Sequence, residues 1–153
     1  MKTSKCPEIV KRQLQAGATG AAVSTLAEAE AFHAMGVDDI LYAVSIAPAK
    51  LYRALALQQR GCALKLLTDN PDIARRVCES ARADGMALEL WIEVDADAHR
   101  AGLTADSSEL LELGRVIEQA GSTFGGVLAH AGSSYGLSDP DALTALAEQE
   151  RAG

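Results

Sequence analysis

Along this chain of 153 residues, helix-forming stretches close on a glycine and a β-rich stretch follows each one. The glycines are Gly17, Gly36, Gly61, Gly85 and Gly121, and glycine takes the left-handed conformation that ends a helix without strain. Pro7, Pro48, Pro71 and Pro140 stand at the opposite end of helical runs, where a missing N–H costs nothing. Asn70 and Asp139, each just before a proline, are N-caps. Thr25 with Glu28 forms a capping box.

The hydrophobic period switches between these marks. Ile73, Val77 and Ala81 share one helical face, as do Leu110, Leu113 and Ile117. Residues 87–94 alternate instead, with Leu88, Leu90, Ile92 and Val94 on one side and Glu89, Trp91 and Glu93 on the other. Further strands are expected at 19–24, 39–46, 63–68 and 124–129. Strands alternating with helices imply a parallel sheet with right-handed crossovers. A doubly wound sheet and part of an eight-stranded barrel both satisfy this pattern. Length alone favours the first, since a barrel typically needs ~250 residues. No glycine-rich dinucleotide turn or P-loop follows any of the strands.

Composition narrows the partners. A net charge of -7 gains nothing from phosphate backbones, so nucleic acid is not expected. No apolar run approaches the ~20 residues of a membrane span, and residues 1–15 lack the apolar core of a signal peptide. Cys6, Cys62 and Cys78 are odd in number and form no C-x-x-C pair. They read as reduced thiols of a cytoplasmic protein.

In either architecture, functional polar groups belong where strands end. Those positions hold Ser24 and Thr25, Ser45, then Thr68 and Asp69. After them come Asp95-Ala96-Asp97-Ala98-His99-Arg100-Ala101-Gly102 and His130-Ala131-Gly132-Ser133-Ser134-Tyr135-Gly136. The last two segments carry more polar groups than a connection needs. Lys2-Thr3-Ser4-Lys5-Cys6-Pro7 precedes the first helix, where a first strand would end.

That opening segment, followed by Ala16-Gly17-Ala18, resembles the start of the fold-type III pyridoxal-phosphate barrels. The nearest group is that of D-threonine aldolase and D-serine dehydratase, relatives of alanine racemase. Thr25–Glu30, Gly36–Leu41, Ile92–Asp95 and the loop at His130–Tyr135 are also similar to this family, in register along the whole chain. The family pattern is Pro-His-x-Lys-Thr-His-Lys, whose first lysine forms the Schiff base; here that lysine is Lys2. Ser4 replaces the family's histidine, and Met1 stands directly before Lys2. The resemblance implies an α/β fold of partial (β/α)8 TIM type, about five parallel strands with helices on the outer face. On this likeness residues 1–153 form one alanine-racemase-N-terminal-like domain, truncated at both ends. They are expected to cover strands two to six and helices one to six, without the family's C-terminal β-domain.

The same resemblance implies site roles. Lys2 would hold pyridoxal phosphate and act catalytically, with Lys5 as its rival. Arg100 matches a family arginine that approaches the cofactor ring, although Asp97 stands where the family has glycine. Tyr135 would line the cofactor cavity, and His130 would act as a general acid or position substrate. Glu89 and Glu93 have the spacing of barrel-lining residues, and Lys65 is expected to neutralise one of them. His33 and His99 read as structural. No metal ligand is assigned in this chain; a divalent metal such as zinc belongs to the β-domain of some full-length members. The implied function is a lyase acting on a small D-amino acid, in a homodimer when full length. Racemisation, and a non-catalytic domain that only associates or binds cofactor weakly, are the alternatives.

Overall fold

The computed structural model describes residues 5–96 and 100–152. The chain runs through α1 (Pro7–Gln15), β1 (Ala21–Val23), α2 (Leu26–His33), β2 (Asp39–Ser45), α3 (Leu51–Gln59), β3 (Ala63–Thr68) and α4 (Pro71–Ala83). It continues through β4 (Glu89–Asp95), β5 (Leu103–Thr104), α5 (Ser108–Gln119), β6 (Thr123–Ala129) and α6 (Pro140–Ala152). Short 3-10 turns at Pro48–Lys50 and Gly132–Gly136 precede α3 and follow β6.

Helix boundaries follow the caps. Asn70 Oδ1 accepts the N–H groups of Asp72 (2.9 Å) and Ile73 (3.0 Å), and Asp139 Oδ2 accepts that of Ala142 (3.1 Å). These are donors that a helix start otherwise leaves without partners. All five helix-ending glycines have positive φ. Gly61 (φ +94) shows the use: the left-handed turn lets Cys62 N–H reach back to Leu57 O (3.2 Å) before β3 begins. The capping box closes only by half. Thr25 Oγ1 accepts Glu28 N–H (3.1 Å), but the Glu28 carboxylate takes the N–H of Ser24 (2.9 Å).

The strands lie in the order β1-β2-β3-β4-β6, all parallel. Tyr42 pairs with Leu66 and Leu66 with Leu90, so their side chains share one face. That face, with Ile40, Leu64, Leu88 and Ile92, is buried with Leu57, Ala74, Val77, Leu113 and Ile117 of the helices. Each such large apolar side chain contributes about 1.5–3 kcal/mol when fully buried. The opposite face carries Leu41, Lys65, Glu89, Trp91 and Glu93, each half-buried, with Ala22 and Ala63 exposed. Helices therefore cover one face, as in a barrel wall, and not both, as in a doubly wound sheet. The sheet also curls. Ala43 of β2 and Leu128 of β6 line one cavity although β3 and β4 stand between them.

Two details depart from expectation. β5 is an additional strand of two residues, paired with Val94 and Asp95 of β4. Lys65 donates to Asp39 (2.6 Å) at the base of β2, whereas neutralisation of Glu89 or Glu93 was expected. Glu89 accepts the indole N–H of Trp91 (2.9 Å). No helix among the described residues is long and apolar enough to cross a membrane.

Candidate active site

The carboxyl ends of β4 and β6 bring two of the polar segments together. Arg100, from the loop after β4, shares a cavity of about 200 Å³ with His130 and Tyr135, from the loop after β6. Glu93, Ala43 and Leu128 complete the wall on the concave face. Arg100 itself is exposed, but its aliphatic chain lies against Gly132, where a Cβ would collide with Cδ and come within 2.9 Å of a guanidinium nitrogen. Gly132 thus holds open the place that Arg100 occupies. Gly102 (φ +119) lets the loop fold back onto β4, for a Cβ there would stand 2.7 Å from Asp95 N.

His130 and Tyr135 form a pair. The Tyr135 Oη stands 3.2 Å from His130 Nε2, and the ring centroids are 5.6 Å apart at 57°. His130 is half-buried, while Tyr135 is 78% exposed and free to meet a ligand. Either group can donate in this hydrogen bond, according to the imidazole tautomer. His130 also lines a second cavity, between the end of β6 and Leu143, Leu146 and Ala147 of α6.

Deeper in the concave face, Trp91 fills the space left by two glycines. The register shifts between Leu90 and Trp91, so that Leu90 pairs with Phe124 and Trp91 with Gly126. Gly125 is the extra residue of this bulge; a Cβ on it would collide with Trp91 Nε1 and stand 2.6 Å from Glu89 Oε1.

Lys2, Asp97 and His99 lie outside the described residues. Lys5 is described, and its ammonium is held 2.7 Å from Glu28 Oε1. His33 is structural in its contacts, with Nδ1 2.9 Å from Asp38 and Nε2 3.3 Å from the carbonyl oxygen of Arg60. The three cysteines are free thiols. Burial pushes the Cys62 and Cys78 thiols up, which disfavours the nucleophilic thiolate. Sequence reasoning reached the segments of Arg100, His130 and Tyr135 through their strand-end positions, and the three residues themselves through the family resemblance. It missed Gly132, which makes room for Arg100, and Gly102, which lets the loop fold back onto β4, because both roles lie in contacts between separate pieces of chain.

This arrangement can be set beside known proteins. Residues 4–152 match the family described as alanine racemase, N-terminal domain. The chain belongs to this family. It is 53% identical over its whole length to D-threo-3-hydroxyaspartate dehydratase of Delftia sp. strain HT23. The solved structure of that dehydratase superposes with a TM-score of 0.96 over 99% of this chain, at 52% identity. D-serine dehydratase of Schizosaccharomyces pombe is 33% identical over 94% of the chain. The structure of D-threonine aldolase from Filomicrobium marinum gives a TM-score of 0.85 at 26% identity, covering 95% of this chain and 39% of its own. The chain spans about 40% of the length of the Delftia dehydratase and 37% of the yeast enzyme.

Proposed function

We propose that this chain builds part of the reaction site of a pyridoxal-phosphate-dependent lyase acting on D-amino acids with a β-hydroxyl group. The observation that carries the reading is the 53% identity, sustained over the whole chain, to a dehydratase of D-threo-3-hydroxyaspartate. D-serine and D-threonine, the substrates in the names of two other relatives, share that β-hydroxyl.

The side chains around the cavity suit the ring end of the cofactor. Arg100 presents planar donors and rarely gives up its proton. Set against the pyridine nitrogen or the phenolic oxygen, it would hold the ring and temper its electron demand. Tyr135 would close the same side. When bound, pyridoxal phosphate supplies an electron sink for charge left on the substrate α-carbon. By the family resemblance, Lys2 would carry the covalent attachment. The engagement of Lys5 by Glu28 favours that choice, since its amino group is already held against a carboxylate.

His130 and Tyr135 would manage the proton at the β-oxygen. Loss of that oxygen as water needs an acid beside it, and cleavage of the Cα–Cβ bond needs a base at the same place. A hydrogen-bonded imidazole–phenol pair can serve either need. A divalent metal such as zinc and a homodimeric assembly belong to this reading for the whole protein. The three free thiols of this chain suit the reducing cytoplasm.

The test incubates the purified whole protein to which this chain contributes, saturated with pyridoxal phosphate, with the D and L forms of 3-hydroxyaspartate, serine and threonine. Elimination releases ammonia and a 2-oxo acid in equal amounts; retro-aldol cleavage releases glycine and an aldehyde. The expected result is one of these product pairs from D isomers alone. Interconversion of isomers without ammonia or glycine would make the protein a racemase, and inertness of the loaded protein would remove the activity.

A further inference from the structure

A strained, ion-paired turn lies between Lys2 and the first helix. Lys5 has φ +42, a left-handed backbone that side-chain-bearing residues rarely adopt. Its ammonium meets Glu28 Oε1 at 2.7 Å. The other carboxylate oxygen accepts Ser24 N–H at 2.9 Å and lies 3.2 Å from Ser24 Oγ. Ser24 follows β1 directly, and Glu28 stands in the first turn of α2. One carboxylate therefore ties three pieces of chain together at the carboxyl end of β1. Its side chain is only 13% exposed, against 57% for Lys5, so the anchor is the covered partner. A sparsely populated backbone conformation persists where surrounding contacts hold it, and such places cluster at functional sites.

We infer that Glu28 is a positioning residue: by clamping Lys5 it anchors the stretch of chain that leads back to Lys2 and keeps Lys5 from competing for the cofactor aldehyde. The inference rests on the reading of Lys2 as the lysine that holds the cofactor. Lys2 precedes Lys5 by three residues, so the clamped turn lies on the short stretch of chain that joins Lys2 to α1. The capping hydrogen bond to Glu28 uses its backbone N–H and the Thr25 hydroxyl. Glu28→Gln therefore removes the charge and leaves the helix cap in place.

The test uses the whole protein with pyridoxal phosphate. Borohydride reduces the imine between lysine and cofactor to a secondary amine, and peptide mass analysis locates the label. Cofactor affinity is measured in parallel by absorbance titration, and folding by thermal melts. Wild type is expected to carry the label on Lys2. Glu28→Gln is expected to shift part of it to Lys5 and to weaken cofactor binding about tenfold; Lys5→Met should weaken it similarly, and the double variant no further, because coupled residues are not additive. Lys5→Arg, which keeps the ion pair, should bind as wild type does. Should Glu28→Gln fail to fold, the contrast between Lys5→Met and Lys5→Arg carries the test alone. Unchanged affinity in Glu28→Gln and Lys5→Met, with label on Lys2 only, would overturn the inference. Wild-type label away from Lys2 is a separate result and overturns the assignment of Lys2 itself.

Discussion

The aliphatic chain of Arg100 occupies the space in which a side chain on Gly132 would begin. The first atom in the way of a Cβ is the Cδ of a flexible arginine, not backbone. Gly132→Ala should therefore push Arg100 aside without unfolding the sheet. Cofactor affinity is expected to fall about tenfold, roughly 1.4 kcal/mol, while the melting temperature stays near that of wild type. A titration and a melt on the same sample check both halves.

Gly102 is the opposite case. Its φ of +119 is foreign to other residues, and the atoms that a Cβ would meet, Asp95 N at 2.7 Å and the Val94 carbonyl carbon at 2.8 Å, are backbone. Neither can yield without disturbing the end of β4 and its pairing with β5. Gly102→Ala is expected to cost about 1–3 kcal/mol of stability, read from urea denaturation.

The Glu28 carboxyl gives a pH dependence. Burial pushes its pKa up, but hydrogen bonds from Lys5 and Ser24 and the Lys5 charge outweigh this and lower it from 4.5 to about 2. A folded-state pKa below the unfolded value stabilises the fold fully above the unfolded value. The contribution is then lost as pH falls from about 4.5 towards 2. Glu28→Gln should therefore destabilise the protein more at pH 7 than at pH 3, as denaturant titrations at the two pH values would show.

Trp91 is the sole tryptophan, and it reports on the bulge in β6. Gly125→Val would drive a branched side chain into its indole and into Glu89. The expected outcome is a shifted fluorescence maximum and a loss of about 1–3 kcal/mol, as overpacking typically costs.

The sequence carried the wall of the fold because its signals are local. Prolines and caps placed the helix starts, glycines placed the ends, and alternation in residues 88–94 distinguished the covered face of β4 from the cavity face. Interactions set by register were not legible. Lys65 is half-buried on the concave face as its strand position implied, but its partner is Asp39 on the neighbouring strand. The two-residue β5 has no period to read. The Thr25–Glu28 box was half right, since the Glu28 carboxylate is taken by Ser24 and Lys5. In the candidate site, strand-end position gave the two polar segments, and the family resemblance singled out Arg100, His130 and Tyr135 within them. Their convergence depends on Gly132 and on the curl of the sheet, both products of tertiary packing.

The central claim is that the cavity shared by Arg100, His130 and Tyr135 receives the cofactor ring. A crystal structure of the protein grown with pyridoxal phosphate tests it most directly. The account predicts continuous density from Lys2 Nζ to the ring, the Arg100 guanidinium within about 3 Å of a ring heteroatom, and His130 beside the open face. A ring bound elsewhere, or attached to Lys5 with Arg100 turned away, would contradict it.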